Sequence, residues 1–411
     1  MSDLTLLQQI TDYSNRHDPY PLYARLREKP VHHDETGPYV IGGYHEVLAL
    51  LHDPRISSER RNRTATTALP GQEDGDDGGT LPPNFLRLDP PEHDRLRAIT
   101  NRPFGPPHSP HRVDGMRGEL KTIVTDLIDA LDGDEIDLVE RFSYPFPVTV
   151  ICRLLGVPRE DESRFHGWAD TLVATLDPQP GQDVAERDRT AQQARIELGL
   201  YLNGLIEERR KSPGDDMLSQ LSTGDGPEGR MSGMEVLSTA ALLLIAGHET
   251  TVNLITNGML TLLRHPEVLE RLRADARLAV PLVEELLRYE PPVQMVPSRT
   301  PITDIEVAGT TIPKGAPLWL MLASANRDPK RFADPDRFDP DRVDVQHLGL
   351  GSGIHSCFGA PLARLEAQLA LAELARRLER PRLVEDPPPY RTNAVLRGPR
   401  QLRLAIDGVR R

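Results

Sequence analysis

Cysteine is scarce in this chain: two in 411 residues, Cys152 and Cys357. Thiols so few and so far apart cannot supply the roughly four ligands of a zinc site. The opening Met1-Ser-Asp-Leu-Thr5 carries no signal-peptide pattern, so a reducing cytoplasm is the expected setting. Basic charge is short too. Lys and Arg total 49 against 62 Asp and Glu, a net charge of −13. That balance argues against nucleic acid or an anionic membrane as a partner. No apolar run approaches the roughly 18 residues that cross a bilayer. Hydrophobic residues are only 38%, which suffices at this length because larger folds bury a greater share of their surface. Length alone suggests about two or three domains. The 38 prolines and 31 glycines are spread along the chain and mark no linker.

What is present centres on Leu348 to Arg364, LGLGSGIHSCFGAPLAR. It places Cys357 at the end of a glycine-rich loop. Gly349, Gly351 and Gly353 suit backbone that turns sharply or approaches a flat ligand. Ala360 to Leu378, rich in Ala, Leu, Arg and Glu, reads as a helix with Pro361 in its first turn. A sulfur at a helix N-terminus meets unpaired N–H groups, here those of Phe358 and Gly359, and the dipole favours its thiolate. Three plainer readings compete. The spacing is not Gly-x-Gly-x-x-Gly and no Val/Ile-rich strand precedes it, against a nucleotide loop. Zinc lacks ligands. An inert buried cysteine is the ordinary fate of a lone thiol, but it leaves the glycines and His355 without a purpose.

Along the chain, residues 19–28 read as an amphipathic helix. Val31 to Ile41 suggests strands around a Thr36-Gly37-Pro38 turn, and Tyr44 to His52 a second helix. Residues 64–83 are Gly- and Asp-rich and form no packed element; they read as a lid or as a plain acidic surface loop. His93 and Arg97 share one helix face, usually a sign of solvated charge. Cys152 lies in an apolar core helix within Leu138 to Pro158. Helices at about 163–176 and 185–211 flank a Pro178–Gly181 turn, and 212–230 reads as a polar loop. The longest helix runs from about Gly233 to Leu263. Its Leu242 to Ala246 stretch is apolar all round, as in a helix crossing the interior. Gly247-His-Glu-Thr-Thr251 then interrupts it, either at a functional site or where the helix surfaces. Glu285 and Arg288 are three apart and able to pair. Short strands follow at Ile305 to Pro313, Pro317 to Leu322 and Gln401 to Ile406.

The run Gly353-x-His355-x-Cys357-x-Gly359, with Leu362-Ala363-Arg364 behind it, resembles the haem-ligand signature of the cytochrome P-450 family. The resemblance extends from about Asp18 to Ile406. It implies one mainly α domain over 1–411, a multi-helix fold with small β-sheets. Haem b would lie between the long central helix and the Cys-loop helix. By the same resemblance Cys357 is the axial ligand of the haem iron, as thiolates are in that family. His93, Arg97, Arg299 and His355 hold the propionates, with Phe358 and Gly359 beside the sulfur. Ala246-Gly-x-Glu249-Thr250 matches the oxygen groove, where the helix loosens, Glu249 feeds protons and Thr250 bonds the oxygen. Glu285 and Arg288 match a structural Glu-x-x-Arg that meets a later arginine, here Arg337. Leu242, Ile245, Ala246, Met295, Val296 and Val395 align with the distal substrate pocket. Leu350 stands where the family usually has Phe.

The function implied is a soluble bacterial-type monooxygenase, inserting one atom of O₂ into a small apolar molecule. A monomer is expected. No flavin or ferredoxin module fits the length, so NAD(P)H would serve only through a separate ferredoxin and ferredoxin reductase. The same haem site doing peroxygenase, desaturase or oxidative-coupling chemistry is one alternative. A non-catalytic haem gas sensor or carrier is the other.

Overall fold

The computed structural model describes residues 4–33, 37–64, 83–105, 108–174 and 184–411. Nearly all of the 64–83 stretch read as a lid, the Pro178–Gly181 turn and Thr36 lie outside them.

Everything is arranged about the helix Gly233–Arg264. It starts cleanly: the Ser232 hydroxyl accepts from the Glu235 N–H while the Glu235 carboxylate accepts from the Ser232 N–H, a reciprocal cap. Its C-terminal half is buried on every side, from Thr251 to Leu262. Two helices, Ala279–Tyr289 and Ala360–Arg377, close on Gly258. A Cβ there would lie 2.9 Å from a Leu371 methyl and 3.0 Å from a Leu286 methyl. The missing side chain therefore sets how closely three helices meet. The helix Pro145–Leu155 packs on the other flank and carries Cys152, which is fully buried. Burial pushes the Cys152 thiol pKa up, so that thiol stays inert.

A five-stranded sheet forms the second layer. Its spatial order is Val31–His33, Tyr39–Ile41, Leu318–Leu320, Val296–Pro301 and Ile56–Ser57. Tyr39–Ile41 runs parallel to Leu318–Leu320, and the remaining pairs are antiparallel. The register shifts between Val296 and Arg299. Such an irregularity re-aims side chains, and Arg299 is turned inward, 6% exposed. Residues Ile305–Val307 and Thr310–Ile312 make a hairpin, while Arg403–Ala405 joins Glu135–Asp137 to Arg382–Leu383.

One expectation needs correction. Residues 212–230 are not all loop, because Met217–Thr223 is a helix capped by Asp216 that buries Met217, Leu218 and Leu221. The long helix is continuous through the polar residues Gly247 to Thr251. The Thr250 and Thr251 hydroxyls bond back to the Ala246 and Gly247 carbonyls, at 3.0 and 3.3 Å. A helix tolerates such bonds with at most a slight bend. Among the described residues no helix is long and apolar enough to cross a membrane.

Candidate active site

The cysteine loop is shaped by glycine. Gly351 and Gly353 have φ of +67° and +69°, a region other residues enter at a cost. Gly349 and Gly353 also permit contact with neighbouring backbone. A Cβ at these positions would lie 2.1 Å from the Leu287 carbonyl oxygen and 2.2 Å from that of Leu51. The loop is thus wedged between the helices Tyr44–His52 and Ala279–Tyr289. The Cys357 N–H closes it by donating to the Leu350 carbonyl at 2.8 Å.

Cys357 is exposed and lines a cavity. Burial pushes its thiol pKa up, while N–H groups of Gly359 and Ala360 and the charges of Arg97 and Arg364 draw it back. The donors stand one residue beyond the expected Phe358 and Gly359. The helix begins at Ala360 with Gly359 as its cap, and its free N–H groups start there. Phe358 instead stacks on Phe104, with centroids 4.6 Å apart.

The cavity holds about 870 Å³ of space not filled by atoms, part of it open to solvent. The long helix contributes Leu242, Leu243, Ala246, Gly247, Thr250 and Thr251. Facing them are Pro147, Ile151 and Leu154, the aromatics Phe85, Phe104 and Phe358, and the loop from His355 to Gly359. The walls are mostly apolar, with Thr250 and Thr251 on the long helix and a polar edge beside the loop.

That edge is cationic. Arg97 lines the cavity, and its Nη2 donates to the Ser356 carbonyl at 2.6 Å. The His355 ring meets that of His93 edge to face, with centroids 4.5 Å apart. Burial, with Arg299, His93 and Arg97 nearby, lowers the His355 pKa to about 3. Burial lowers that of Arg299 to about 10, and Asp89 is the carboxylate that offsets it. Yet the Asp89 oxygens already accept from the Ser57 hydroxyl and the Ser58 N–H. Nε2 of His93 and Nδ1 of His355 are buried without a hydrogen-bond partner. Buried cations and unspent donors at the rim of an apolar slot call for carboxylates on a flat apolar body. With a sulfur facing the slot, these residues fit haem.

Not every residue expected in the site is there. Thr250 is on the cavity wall; Glu249 is not. Glu249 is 3% exposed, with Oε1 3.2 Å from Arg391 Nη1 and 3.4 Å from Asn253 Nδ2. Thr251 reaches the wall as well, although helical spacing turns it away from Thr250. Leu242 and Ala246 line the cavity, whereas Ile245 is 37% exposed on the same helix. Met295 packs in a separate core with Tyr23, Trp319 and Met321, and Val395 borders that core. Val296 borders the core of the five-stranded sheet.

Beneath the loop, Arg288 and Glu285 pair in parallel, Nε to Oε2 and Nη2 to Oε1, both at 2.7 Å. Arg337 does not complete this pair. Its side chain is 70% exposed, and only its carbonyl serves, accepting from Arg288 Nη2 at 3.0 Å. Arg342 takes the role instead, 11% exposed with Nε 3.4 Å from Glu285 Oε2.

Glu366, in the helix after Cys357, escapes a sequence reading. It lines the cavity, is 2% exposed, and keeps Oε2 without a partner. Burial raises its carboxyl pKa well above the usual value, which favours the neutral acid. Only its spacing from Cys357, on the face of Leu362, could have flagged it. Among the described residues no three His, Cys, Asp or Glu side chains are grouped to hold a metal ion.

Known proteins share this architecture. The family model for Cytochrome P450 matches residues 84–406. The chain is 44% identical over 370 residues to the cytochrome P450 monooxygenase PikC of Streptomyces venezuelae, covering 88% of this chain and 84% of that one. It is 35% identical to 6-deoxyerythronolide B hydroxylase of Saccharopolyspora erythraea, covering 98% and 100%. Among solved structures, CYP109Q5 from Chondromyces apiculatus superposes with a TM-score of 0.86 at 35% identity, covering 97% and 98% of the two chains. With the cysteine loop, the cationic edge and the long helix all in place, the chain belongs to the cytochrome P450 family, as a monooxygenase.

Proposed function

We propose that the chain acts as one catalytic domain that inserts an atom of O₂ into a small apolar organic molecule. Two electrons come from NAD(P)H through a separate ferredoxin and its reductase, and the second oxygen atom leaves as water. The observation that carries this reading is the apolar cavity with the Cys357 sulfur on one side and Thr250 on the other. When bound there, haem iron supplies the dioxygen chemistry, and a thiolate ligand favours O–O cleavage.

The chain's own residues do the rest. Gly359 and Ala360 N–H groups stabilise negative charge on Cys357 Sγ. His93, Arg97, Arg299 and His355 hold carboxylates at the edge. Leu242, Leu243 and Ala246 exclude water and favour an apolar substrate. Thr250 offers a hydroxyl at the wall, and Glu249 is the acid one residue away that supplies protons to it. Relatives named for hydroxylation of 6-deoxyerythronolide B, and for monooxygenation, are consistent with this class of reaction.

The test is turnover with surrogate ferredoxin and reductase under labelled dioxygen, using substrates found by screening compounds for shifts in the haem spectrum. One labelled oxygen in the product supports the reading. Product formed from peroxide alone, with none from NAD(P)H, overturns it.

A further inference from the structure

The helix Val184–Lys211 is 28 residues long, about 42 Å at the usual rise, and its two faces differ. One packs on the helices Glu162–Ala174, Met217–Thr223 and Gly233–Arg264. It buries Ala191, Ala194, Leu198, Leu202 and Leu205. The other carries Glu186, Arg189, Gln193, Ile196, Leu200, Asn203 and Glu207, all exposed. Their spacing alternates three and four residues, the seam by which one helix meets another. At its centre Ile196 is 47% exposed and Leu200, one turn on, is 70% exposed. A single exposed apolar residue is ordinary; two stacked at the middle of a seam form a contact surface. Gly199 and Gly204 flank them. Among the described residues nothing lies within 4 Å of a Cβ built on either, so packing inside the chain does not call for a residue that weakens a helix. Bare backbone there lets another helix come close.

The charges on this face are ordered. Glu186 pairs with Arg189 at 2.5 Å and Glu207 with Arg210 at 2.6 Å. One pair stands at each end of the seam, acid before base in both. Exposed pairs of this kind are weakly held, so their charges can also bridge to another molecule. Laid antiparallel against a second copy about the level of Leu198, the face is its own complement. Ile196 then meets Leu200 of the second copy, Gln193 meets Asn203, Arg189 meets Glu207 and Glu186 meets Arg210. A parallel pair in register would set acid on acid and base on base, which is unfavourable. A membrane suits the face less well, because acids interleave with the bases and the whole chain carries −13.

We propose that this face is an interaction surface for a second copy of the chain, with the two Val184–Lys211 helices antiparallel across a two-fold axis. The association replaces the monomer that the family resemblance implies. Such a contact uses the same patch on both copies and closes at two. It is small, with one apolar pair from each copy between two charged ends, so the dimer is weak and forms with rising concentration.

The test is sedimentation equilibrium of the haem-loaded protein from low micromolar to several hundred micromolar. The parent should shift from monomer to dimer and go no further. Leu200→Glu should weaken association at least about tenfold, because it sets a charge against Ile196 of the second copy. Arg189→Glu alone and Glu207→Arg alone should each weaken it similarly, since a two-fold pair then holds like charges opposite one another twice. Mixed in equal amounts, those two variants should regain association close to that of the parent, because the reversed charges then face each other. Circular dichroism should show parent helix content in every variant; should Leu200→Glu lose it, Leu200→Gln takes its place with the same criteria. A parent that stays monomeric throughout, or one that grows past the dimer, overturns the proposal. So does a dimer indifferent to Leu200→Glu, which lies on another face, or a mixture that fails to recover, which denies the antiparallel register. Binding to phosphatidylcholine vesicles that Leu200→Glu abolishes, with no self-association, assigns the face to lipid and overturns it as well.

Discussion

The His93 and His355 rings meet with centroids 4.5 Å apart and planes at 68°, and each keeps one ring nitrogen buried without a partner. His355 spends its other nitrogen on the Ser58 hydroxyl at 2.8 Å, and His93 on Asp94, also at 2.8 Å. The free nitrogens, with Arg97 and Arg299, are what the structure offers to the carboxylates of a haem. Replacing Arg97 or Arg299 by Ala should weaken haem binding by about 1.5–3 kcal/mol, the worth of a charge-assisted hydrogen bond. Haem transfer to an acceptor apoprotein measures this. Unchanged transfer from Arg97→Ala would remove Arg97 from the cofactor edge.

Stability beneath the loop should depend on Glu285 and Arg342, and little on Arg337. Glu285→Ala leaves Arg288 buried and uncompensated, which costs about 3–5 kcal/mol. Arg337→Ala alters an exposed side chain and should stay within about 0.5 kcal/mol. Urea unfolding of the three variants checks the order. A larger loss for Arg337→Ala than for Arg342→Ala would reverse the assignment.

Much of this site is legible in the sequence, and the exceptions share a cause. The glycines and Cys357 announce themselves because backbone that only glycine accepts leaves a local mark. The helix Tyr44–His52 and the start of the long helix at Gly233 follow from apolar spacing and end signals. Arg342 does not. Choosing between Arg337 and Arg342 depends on which way an irregular segment turns its side chains, and no periodicity governs that. Glu366 is hidden in a helix rich in Glu and Arg. Its burial comes from the tertiary cavity, not from its neighbours in sequence. Met295 fails in the opposite sense: apolar in sequence, it is taken by a neighbouring core before it can reach the pocket.

Glu366 should make stability fall as pH rises. Its folded pKa is raised by burial from 4.5, so folding takes up a proton above that pH. The stability this group lends is complete below about pH 4.5 and is lost progressively as pH climbs toward the folded value. Glu366→Gln, uncharged in both states, should melt higher than the parent at pH 8 and no higher at pH 4. Equal differences at both pH values would show that Glu366 is ionised in the folded protein.

Thr250→Ala should still consume NAD(P)H and O₂ but release much of the oxygen as hydrogen peroxide. Thr251 also reaches the wall, though it is 2% exposed, so Thr251→Ala should cost less coupling. Product formed per NAD(P)H oxidised separates them. Full coupling in Thr250→Ala with loss in Thr251→Ala would move the working hydroxyl by one residue.

The account stands on the Cys357 sulfur as the ligand that faces the cavity. The most direct measurement is the absorption spectrum of the reduced protein under carbon monoxide, for the parent, Cys357→Ala and Cys152→Ala. The parent and Cys152→Ala should show the red-shifted Soret band characteristic of a thiolate-ligated haem, and Cys357→Ala should lose it. A parent without that band, or a Cys357→Ala variant that keeps it, would contradict the assignment.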